Sequence, residues 1–405
     1  FKIIDGQFVL RVVRGRAERR GRAESDSLSS WRETLDRAAA RLSEQDVFDV
    51  ARMVFMEMLL SGITCVGEFH TLHHRADGSP WEEPNLLAQE VIRAARDVGI
   101  RIGLLNVAWA RGDFRGAAGP APVRSDTGAT DRFLRDVEAL REFTTGNYPA
   151  DETWMGVAAH SIAAVPFDQF KALAAYAHGQ RLRLHVHVST HVGQNEACAT
   201  EYGRTPVALL AEHGFVDKRF TAVDAIHLTD EEVRLLGSAR ATVCVCPGTE
   251  HNLGLGTAPV EKLLAAGAGL ALGTDSQGQI DLLKDARLLE YGLRVAKAGR
   301  VVIAPDAATA LFHAATVGGA RSLGATGGAL EIGRPADFFT VNLFDPAIAG
   351  ADADSLLANI VFALERRAVR EVWVGARQRL VNGRHALHGA IVGRFVDVQQ
   401  RLWAG

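Results

Sequence analysis

Apolar residues recur at helical spacing in the first long periodic segment of the chain, which runs from Ser43 to Ser61. The spaced apolar positions are Val47, Val50, Ala51, Val54, Met58 and Leu59. Ser43 stands immediately before them, where a side-chain oxygen can cap the first turn of a helix. The sequence therefore predicts an amphipathic helix over 43–61.

Short uninterrupted apolar runs follow, and they alternate with amphipathic stretches of helical length. Strands of this kind are buried on both faces, which favours parallel pairing beneath a layer of helices. Together with the apolar start of the chain they predict eight strands, centred on Ile3, Ile63, Ile102, Trp154, Leu184, Ala222, Thr242 and Leu270. The pattern predicts an α/β fold, a TIM (β/α)8 barrel over 1–325. The stretch 112–128, rich in Gly, Ala and Pro, predicts a loop or lid on the barrel rim.

Beyond residue 325 the period of the apolar positions changes to strict alternation. The segments 333–342 and 371–383 alternate as strands, and the second contains a turn at Gly375. We expect a small β appendage with a C-terminal tail over 326–405.

Composition narrows the class of protein. Of the 405 residues, 47% are hydrophobic and 23% charged, as in an ordinary globular enzyme, which excludes disorder, collagen and coiled coil. The formal net charge of −3 gives no excess of basic residues that would attract nucleic acid or an anionic membrane. A small molecule is therefore the expected partner. The sequence shows neither an apolar run of roughly 18 residues nor a signal-peptide pattern, and we expect a cytoplasmic protein. The cysteines are too few for a disulfide framework.

Polar residues that follow the predicted strands are the candidates for chemistry, because the working residues of such barrels lie at the C-terminal ends of strands. They are Asp5, Gln7, Glu68, His70, His160, His185, His187, Thr190, His191, Asp224, His227, Glu250, His251, Asp275 and Gln277. The set His70, His73 and His74 has the spacing of a ligand cluster, although a structural role is the commoner one for such a set.

Several longer motifs give the chain a resemblance to a known family. They are Ser-Trp-Arg-Glu at 30–33, Val-Gly-Glu-Phe-His-x-x-His-His at 66–74, His-Ser at 160–161, His-Val-His at 185–187, Gly-Arg-x-Pro at 203–206, Cys-Pro-x-Thr-Glu-x-Asn-Leu-Gly at 246–254, Gly-Thr-Asp-Ser at 273–276, Leu-Glu-Tyr-Gly at 289–292 and Leu-Glu-Ile-Gly-Arg-Pro-Ala-Asp at 330–337. With these motifs the chain resembles the metal-dependent amidohydrolase superfamily, most closely its formimidoylglutamate deiminases. The resemblance implies a distorted barrel, a homodimer and a small β-sandwich. Because this sequence opens directly on the first barrel strand, we expect only a partial sandwich.

The resemblance also implies a metal site, but most of the implied ligands are replaced here. The two histidines after strand 1 correspond to Asp5 and Gln7, and the strand 6 histidine to Asp224. His187 and Asp275 are retained. The carboxylate after strand 5 corresponds to Thr190, and Gln277 replaces a further histidine. Catalytic zinc requires about three protein ligands, mostly imidazole. We therefore expect no cofactor; if a divalent metal binds, its ligands are Asp5, His187, Asp224 and Asp275, a set suited to a harder ion.

Substrate recognition is altered as well. The arginine by which the family holds a substrate carboxylate corresponds to Ala163, so a bidentate anchor is missing. The expected substrate contacts are Gln7, Arg32, His70, His160, Thr190, His227, Glu250 and Gln277.

Three hypotheses for function follow. In the first, Asp275, His187 and Asp224 carry out metal-independent acid/base chemistry, such as elimination, cyclisation or isomerisation, on a small nitrogen-containing molecule. In the second, the protein is a formimidoylglutamate-deiminase-like hydrolase of a C–N bond with an unusual metal site. In the third, it is an inactive relative that binds a ligand or stabilises a partner.

Overall fold

The computed structural model describes residues 2–4, 8–16, 28–115, 119–275 and 279–404. Eight strands form one parallel sheet whose order follows the chain. They are β1 (Lys2–Ile4), β2 (Cys65–His70), β3 (Arg101–Ala108), β4 (Thr153–Ser161), β5 (Leu184–Val188), β6 (Phe220–Asp224), β7 (Thr242–Val245) and β8 (Gly269–Leu272). β1 also lies against β8, although no hydrogen-bonded ladder joins the two within the described residues. The predicted distorted barrel is confirmed; its second strand begins at Cys65 rather than around Ile63.

Helices cover the outside of this sheet and lie between its strands along the chain. They are α1 (Phe8–Val13), α2 (Leu28–Ala39), α3 (Glu44–Leu60), α4 (Leu86–Val98), α5 (Thr130–Asn147), α6 (Phe167–Gly179), α7 (Val192–Tyr202), α8 (Pro206–Glu212), α9 (Asp230–Ser238), α10 (Pro247–Asn252), α11 (Val260–Ala266), α12 (Leu282–Lys297), α13 (Ala307–His313), α14 (Gly319–Leu323), α15 (Leu356–Phe362) and α16 (His388–Trp403). A π-helical turn spans Ala314–Gly318 and a 3-10 turn spans Arg366–Ala368. No helix of the described residues combines the length and the apolar character needed to cross a membrane.

Helix α3 forms as the apolar spacing predicts. The Ser43 side chain accepts a hydrogen bond from the Asp46 backbone N–H, and the Asp46 carboxylate accepts one from the Ser43 N–H. This capping box satisfies two backbone donors that the first turn would otherwise leave unpaired. The apolar face, including Val50 and Val54, is fully buried in the core.

Helix α14 closes the N-terminal end of the barrel. The Nε2–H of His185, on β5, donates to the Ser322 carbonyl at 3.1 Å, and the Trp154 indole N–H donates to the Leu323 carbonyl at 2.8 Å. The Thr221 and Ser322 hydroxyls are hydrogen-bonded at 2.9 Å. Packed residues therefore fill this end of the barrel interior.

The C-terminal β appendage is an antiparallel sheet of strands β9 (Phe338–Val341), β10 (Val369–Val374), β11 (Arg377–Val381) and β12 (Arg384–His385). The turn between β10 and β11 consists of Gly375 and Ala376, both with positive φ, at 55° and 62°. That is the geometry of a tight two-residue hairpin, which glycine adopts without strain. The turn predicted at Gly375 is present.

The predicted C-terminal tail is a helix in the structure. α16 packs against α3, where the Arg394 guanidinium donates to the Asp49 carboxylate at 3.0 Å and Arg401 pairs with Asp46. The Trp403 indole N–H donates to the Val12 carbonyl at 3.2 Å. The end of the chain is therefore held on the outside of the barrel rather than on the appendage sheet.

Two buried histidines, His70 and His185, must stay neutral in the folded protein. Burial lowers the pKa of each from 6.5 to about 3. In the unfolded chain these rings bind a proton as the pH falls below 6.5, whereas in the folded chain they do so only near pH 3. The stability linked to this difference is complete above pH 6.5 and is lost as the pH falls from 6.5 towards 3.

We expect each of these histidines to add about 1.4 kcal/mol per pH unit to the acid slope of the unfolding free energy. Urea unfolding of the His185→Gln variant between neutral pH and pH 5 should show a slope shallower by about that amount. His388→Gln, which changes an exposed histidine, is the matched control and should keep the full slope. An unchanged slope in His185→Gln would contradict the assignment of a neutral buried ring.

Candidate functional site

A cavity of about 690 Å³ lies at the C-terminal ends of the barrel strands. Six of the candidate residues line it: His160, His187, Thr190, His191, Asp224 and Asp275. They come from β4, β5, β6 and the end of β8, so the parallel order of the strands brings together residues far apart in sequence. The structure thus gives the predicted groups a common site, while their chemical roles stay predictions.

His187 is held in a defined orientation and tautomer. Its ring is 6% exposed, and Nδ1 lies 2.8 Å from the His160 carbonyl oxygen. Since a carbonyl only accepts, Nδ1 carries the hydrogen, and Nε2 is the acceptor nitrogen of the neutral ring. The Phe69 ring packs edge-on at 5.1 Å between centroids. His187 is therefore held with Nε2, rather than Nδ1, as the nitrogen that can accept a proton.

A stack of aromatic rings forms one wall of the cavity. The Trp109 and His160 rings stack at 3.6 Å between centroids, and His160 lies 5.4 Å from the His187 ring. The Trp109 indole N–H donates to the Arg111 carbonyl at 2.9 Å, which turns the apolar part of the ring to the stack. Trp109 was not among the sequence candidates. It directly follows β3, and its position at the end of a strand is the signal that could have identified it.

Asp224 and Thr190 form a hydrogen-bonded pair in the cavity. The Thr190 hydroxyl donates to Asp224 Oδ2 at 2.7 Å, and the Thr190 backbone N–H donates to the Gln194 side-chain oxygen at 2.9 Å. Asp224 is 5% exposed and has φ of 64°, followed by Ala225 at 53°. Left-handed backbone in residues other than glycine is costly and is concentrated at functional sites. The strand end is thus bent so that the carboxylate meets the threonine.

Asp275 follows β8 and is half-buried on the same cavity. Beside it, the Thr249 hydroxyl donates to the Thr274 carbonyl at 3.3 Å, which ties α10 to the end of β8. Asp5, Gln7 and Gln277 lie outside the described residues, as does the side chain of Arg32.

The donor set of the described residues does not fit a zinc site. At the strand ends it supplies the His187 imidazole and the carboxylates of Asp224 and Asp275, and Asp224 accepts a hydrogen bond from the Thr190 hydroxyl. In the described ranges, no three His, Cys, Asp or Glu side chains converge in a way that could hold a metal ion. We therefore derive no step through a metal.

Three predicted substrate contacts, His70, His227 and Glu250, are not among the described residues that line the cavity, and their role as substrate contacts stays a prediction. His70 is 1% exposed and packs against the His73 ring at 5.6 Å. The Nε2–H of His227 donates to the Leu255 carbonyl at 2.9 Å. Glu250 is fully buried and accepts from the Cys246 backbone N–H at 2.7 Å. Each side chain is directed into the packed wall by these contacts.

Burial shifts the pKa of two residues in this wall, His73 and Glu250. Burial lowers the pKa of His73 to about 4, and its Nε2–H donates to the Val107 carbonyl at 2.9 Å. The Nε2–H of His74 donates to the Asp126 carbonyl at 2.8 Å. These contacts favour the structural role for the histidine set at 70–74, which stays a prediction. Burial, reinforced by the negative charge of Asp224, raises the pKa of Glu250 well above its usual range.

The loop predicted on the rim does contribute to the cavity. Its lining residues are Gly112, Asp113, Phe114, Arg115, Pro122 and Ser125. Behind it, the Arg111 guanidinium pairs with Glu201 at 3.0 Å. These contacts join the loop after β3 to helix α7, and periodicity alone gave no indication of them.

Comparison with known proteins identifies the family. The family model described as the amidohydrolase family matches residues 14–385. The chain belongs to the amidohydrolase family. It is 34% identical over 396 residues to the formimidoylglutamate deiminase of Pseudomonas aeruginosa, covering 97% of this chain and 86% of that protein. The predicted resemblance is confirmed.

Other relatives agree with this assignment. A 5-methylthioadenosine/S-adenosylhomocysteine deaminase of Moorella thermoacetica is 27% identical over 351 residues, or 85% of this chain and 73% of that protein. The crystal structure of an amidohydrolase from Brucella melitensis superposes with a TM-score of 0.91 and 32% identity, covering 99% of this chain and 88% of that one. These two named relatives of the chain are a deiminase and a deaminase, enzymes that act on C–N bonds of small molecules.

Proposed function

We propose that this amidohydrolase hydrolyses a C–N bond of a small, polar, nitrogen-containing molecule bound at the barrel mouth. The observation that carries the proposal is the gathering of His187, Asp224 and Asp275 on one cavity of about 690 Å³. A cavity of this size with a few convergent polar groups is typical of a small-molecule site. The similarity to a deiminase supports the C–N bond as the target.

The reaction we assign is the addition of water to a carbon that is double-bonded to nitrogen. The new C–O bond forms, the C–N bond breaks, and ammonia leaves while the carbonyl remains. Water must lose protons and the leaving nitrogen must gain them, so the site needs a base that afterwards acts as an acid. Asp275 is our candidate base. The Nε2 of His187 and the Asp224 carboxylate oriented by Thr190 hold and return the proton.

A second candidate function is acid/base chemistry without added water, such as elimination, cyclisation or isomerisation. The donor set favours it, because Thr190 stands where the resemblance implies a carboxylate and the described residues do not fit zinc. Neighbouring acidic and basic groups can divide the acid and base roles between them without a metal.

The decisive experiment is a product assay on the purified full chain with a panel of amidines, guanidines, amides and aminated heterocycles, in isotopically labelled water. Parallel reactions with added zinc, manganese or a chelator test whether product formation depends on a metal ion. Released ammonia together with labelled oxygen in the product supports hydrolysis. A rearranged or eliminated product without label supports the second candidate. Ligand binding with no product from any compound contradicts both and favours a binding protein.

A further inference from the structure

Three arginines lie together at the N-terminal ends of the barrel strands, the end opposite the candidate site. Arg183 and Arg219 immediately precede β5 and β6, and the Leu184 N–H donates to the Arg219 carbonyl at 3.3 Å where these strands begin to pair. Arg321 belongs to α14, the helix that closes this end. Strand β5 has 5 residues, so about 16 Å of strand separates this arginine cluster, Arg183, Arg219 and Arg321, from the cavity described above.

The positive charges of the arginine cluster act on one another. Burial lowers the pKa of Arg183, and the charges of Arg321 and Arg219 lower it further, while Asp217 acts in the opposite direction. Like charges this close repel, and burial strengthens the repulsion because it reduces screening by water. Among the described residues, the carboxylate that pairs with the cluster is that of Asp217, 3.3 Å from the Arg219 guanidinium. Three guanidinium groups and this carboxylate leave an excess of positive charge.

The end of helix α14 does not account for these charges. Arginine side chains near a helix C-terminus often donate to its last carbonyl groups. The last four carbonyls of α14 already accept hydrogen bonds from other groups, two from the Gly324 backbone N–H and the others from the side chains of His185 and Trp154. The helix end is therefore hydrogen-bonded without Arg183.

Arg183 and Arg321 keep most of their donors for a further acceptor. Nη1 of Arg183 donates to the Lys218 carbonyl at 3.0 Å, and Nη2 of Arg321 donates to the Arg240 carbonyl. Within the described ranges, Nε and the second terminal nitrogen of each guanidinium make no hydrogen bond to the protein. The planar guanidinium places such donors in a fork that matches two oxygens of an oxyanion.

A second cavity, of about 400 Å³, borders the arginine cluster at Arg219. Its described lining lies on α6 and on the segments that lead into β5 and β6, and most of it is apolar. The apolar residues include Ala174, Ala177, Leu182, Leu184 and Phe215. On its polar side, the Arg219 guanidinium donates to His178 Nδ1 at 2.9 Å. The cavity offers room for a small organic group beside the arginines.

We propose that the arginine cluster binds a phosphate group, that of inorganic phosphate or of a small phosphate ester. A phosphate ester carries about 1.5 to 2 negative charges at neutral pH, which offsets the excess charge of the cluster. Because Arg183 and Arg219 lead into two strands and Arg321 lies on α14, a bound phosphate links three elements at the closed end of the barrel. This site is separate from the proposed C–N chemistry and does not depend on it.

Isothermal titration of the full chain measures this binding. At an ionic strength held constant with sodium chloride, inorganic phosphate should bind with a dissociation constant of about 1 mM or below, and acetate about tenfold or more weakly, because acetate carries less charge and fewer oxygens. Phosphate should also raise the midpoint of thermal unfolding, since a ligand that binds the folded chain stabilises it. Phosphate binding no tighter than acetate binding overturns the proposal.

The variants Arg183→Gln and Arg321→Gln locate the site. Each should weaken phosphate binding about tenfold, because charge-assisted hydrogen bonds are lost. Arg384→Gln removes the same charge from an exposed residue of the appendage strand β12 and should bind phosphate as the unaltered chain does. Near-UV circular dichroism checks that each variant is folded, and the comparison of phosphate with acetate on the unaltered chain does not depend on it. Phosphate binding in both cluster variants equal to that in the control overturns the proposal.

Phenyl phosphate distinguishes the two sources of the phosphate group. A dissociation constant about tenfold below that of inorganic phosphate identifies an ester whose organic part is buried in the second cavity. Equal or weaker binding of phenyl phosphate identifies inorganic phosphate as the ligand. Both results support the phosphate site, whereas phenyl phosphate binding that both cluster variants leave unchanged places the ligand elsewhere and overturns it.

Discussion

Replacing Asp337 with asparagine should lower the free energy of unfolding by about 3–5 kcal/mol, the usual effect of removing one partner of a buried ion pair. The Asp337 carboxylate lies 2.6 Å from the Arg101 guanidinium, and both side chains are only 3% exposed. Arg101 begins β3, whereas Asp337 precedes the appendage sheet and also accepts from the Gly375 backbone N–H at 2.8 Å. The pair therefore joins the barrel to the appendage. Without the carboxylate, a buried guanidinium loses its counter-charge.

Urea unfolding followed by circular dichroism measures this effect. Asp230→Asn is the matched control, because it makes the same chemical change in an ion pair whose side chains are 73% and 51% exposed. Exposed pairs contribute little, so this variant should unfold almost as the unaltered chain does. A loss in Asp337→Asn no larger than in the control would show that the appendage is held by other contacts.

The barrel could be predicted from sequence because its strands are buried on both faces. Each strand therefore appears as a short apolar run, and the helices between them show a different period. The capped start of α3 and the hairpin at Gly375 were also predictable, since each depends on residues within a few positions of one another. Local chemistry was sufficient for these elements.

Contacts between distant parts of the chain were not predictable in this way. Arg101 and Asp337 are 236 positions apart, and neither belongs to a periodic pattern that would indicate its partner. α16 is stabilised by pairs such as Arg394 with Asp49, 345 positions apart. Tertiary contacts of this kind, rather than propensity, fix the end of the chain.

The candidate site likewise has a part that the sequence predicts and a part that it does not. Its residues at strand ends were predicted from the general position of barrel active sites, and six of them line the cavity. Which of the remaining polar residues face the wall depends on single hydrogen bonds, such as that from His227 to the Leu255 carbonyl. Sequence spacing carries no information on the direction of those bonds.

Replacing Asp275 with asparagine should reduce kcat of the proposed hydrolysis by about 10²- to 10⁴-fold, the range found when a positioned proton-transfer group is removed. Asparagine has nearly the same shape as aspartate but cannot take a proton from water. The measurement is the rate of ammonia release from whichever substrate the product assay identifies, with urea unfolding to show that stability is retained.

Asp354→Asn, an exposed change of the same type, should keep full kcat and serves as the control. His187→Gln should lose activity to a similar extent, because it removes the basic Nε2 that the hydrogen bond from Nδ1 to the His160 carbonyl holds in place. Full activity in both cavity variants would mean that neither group moves a proton. Their common position on the cavity would then reflect ligand binding alone, as expected of a relative that binds its ligand without transforming it.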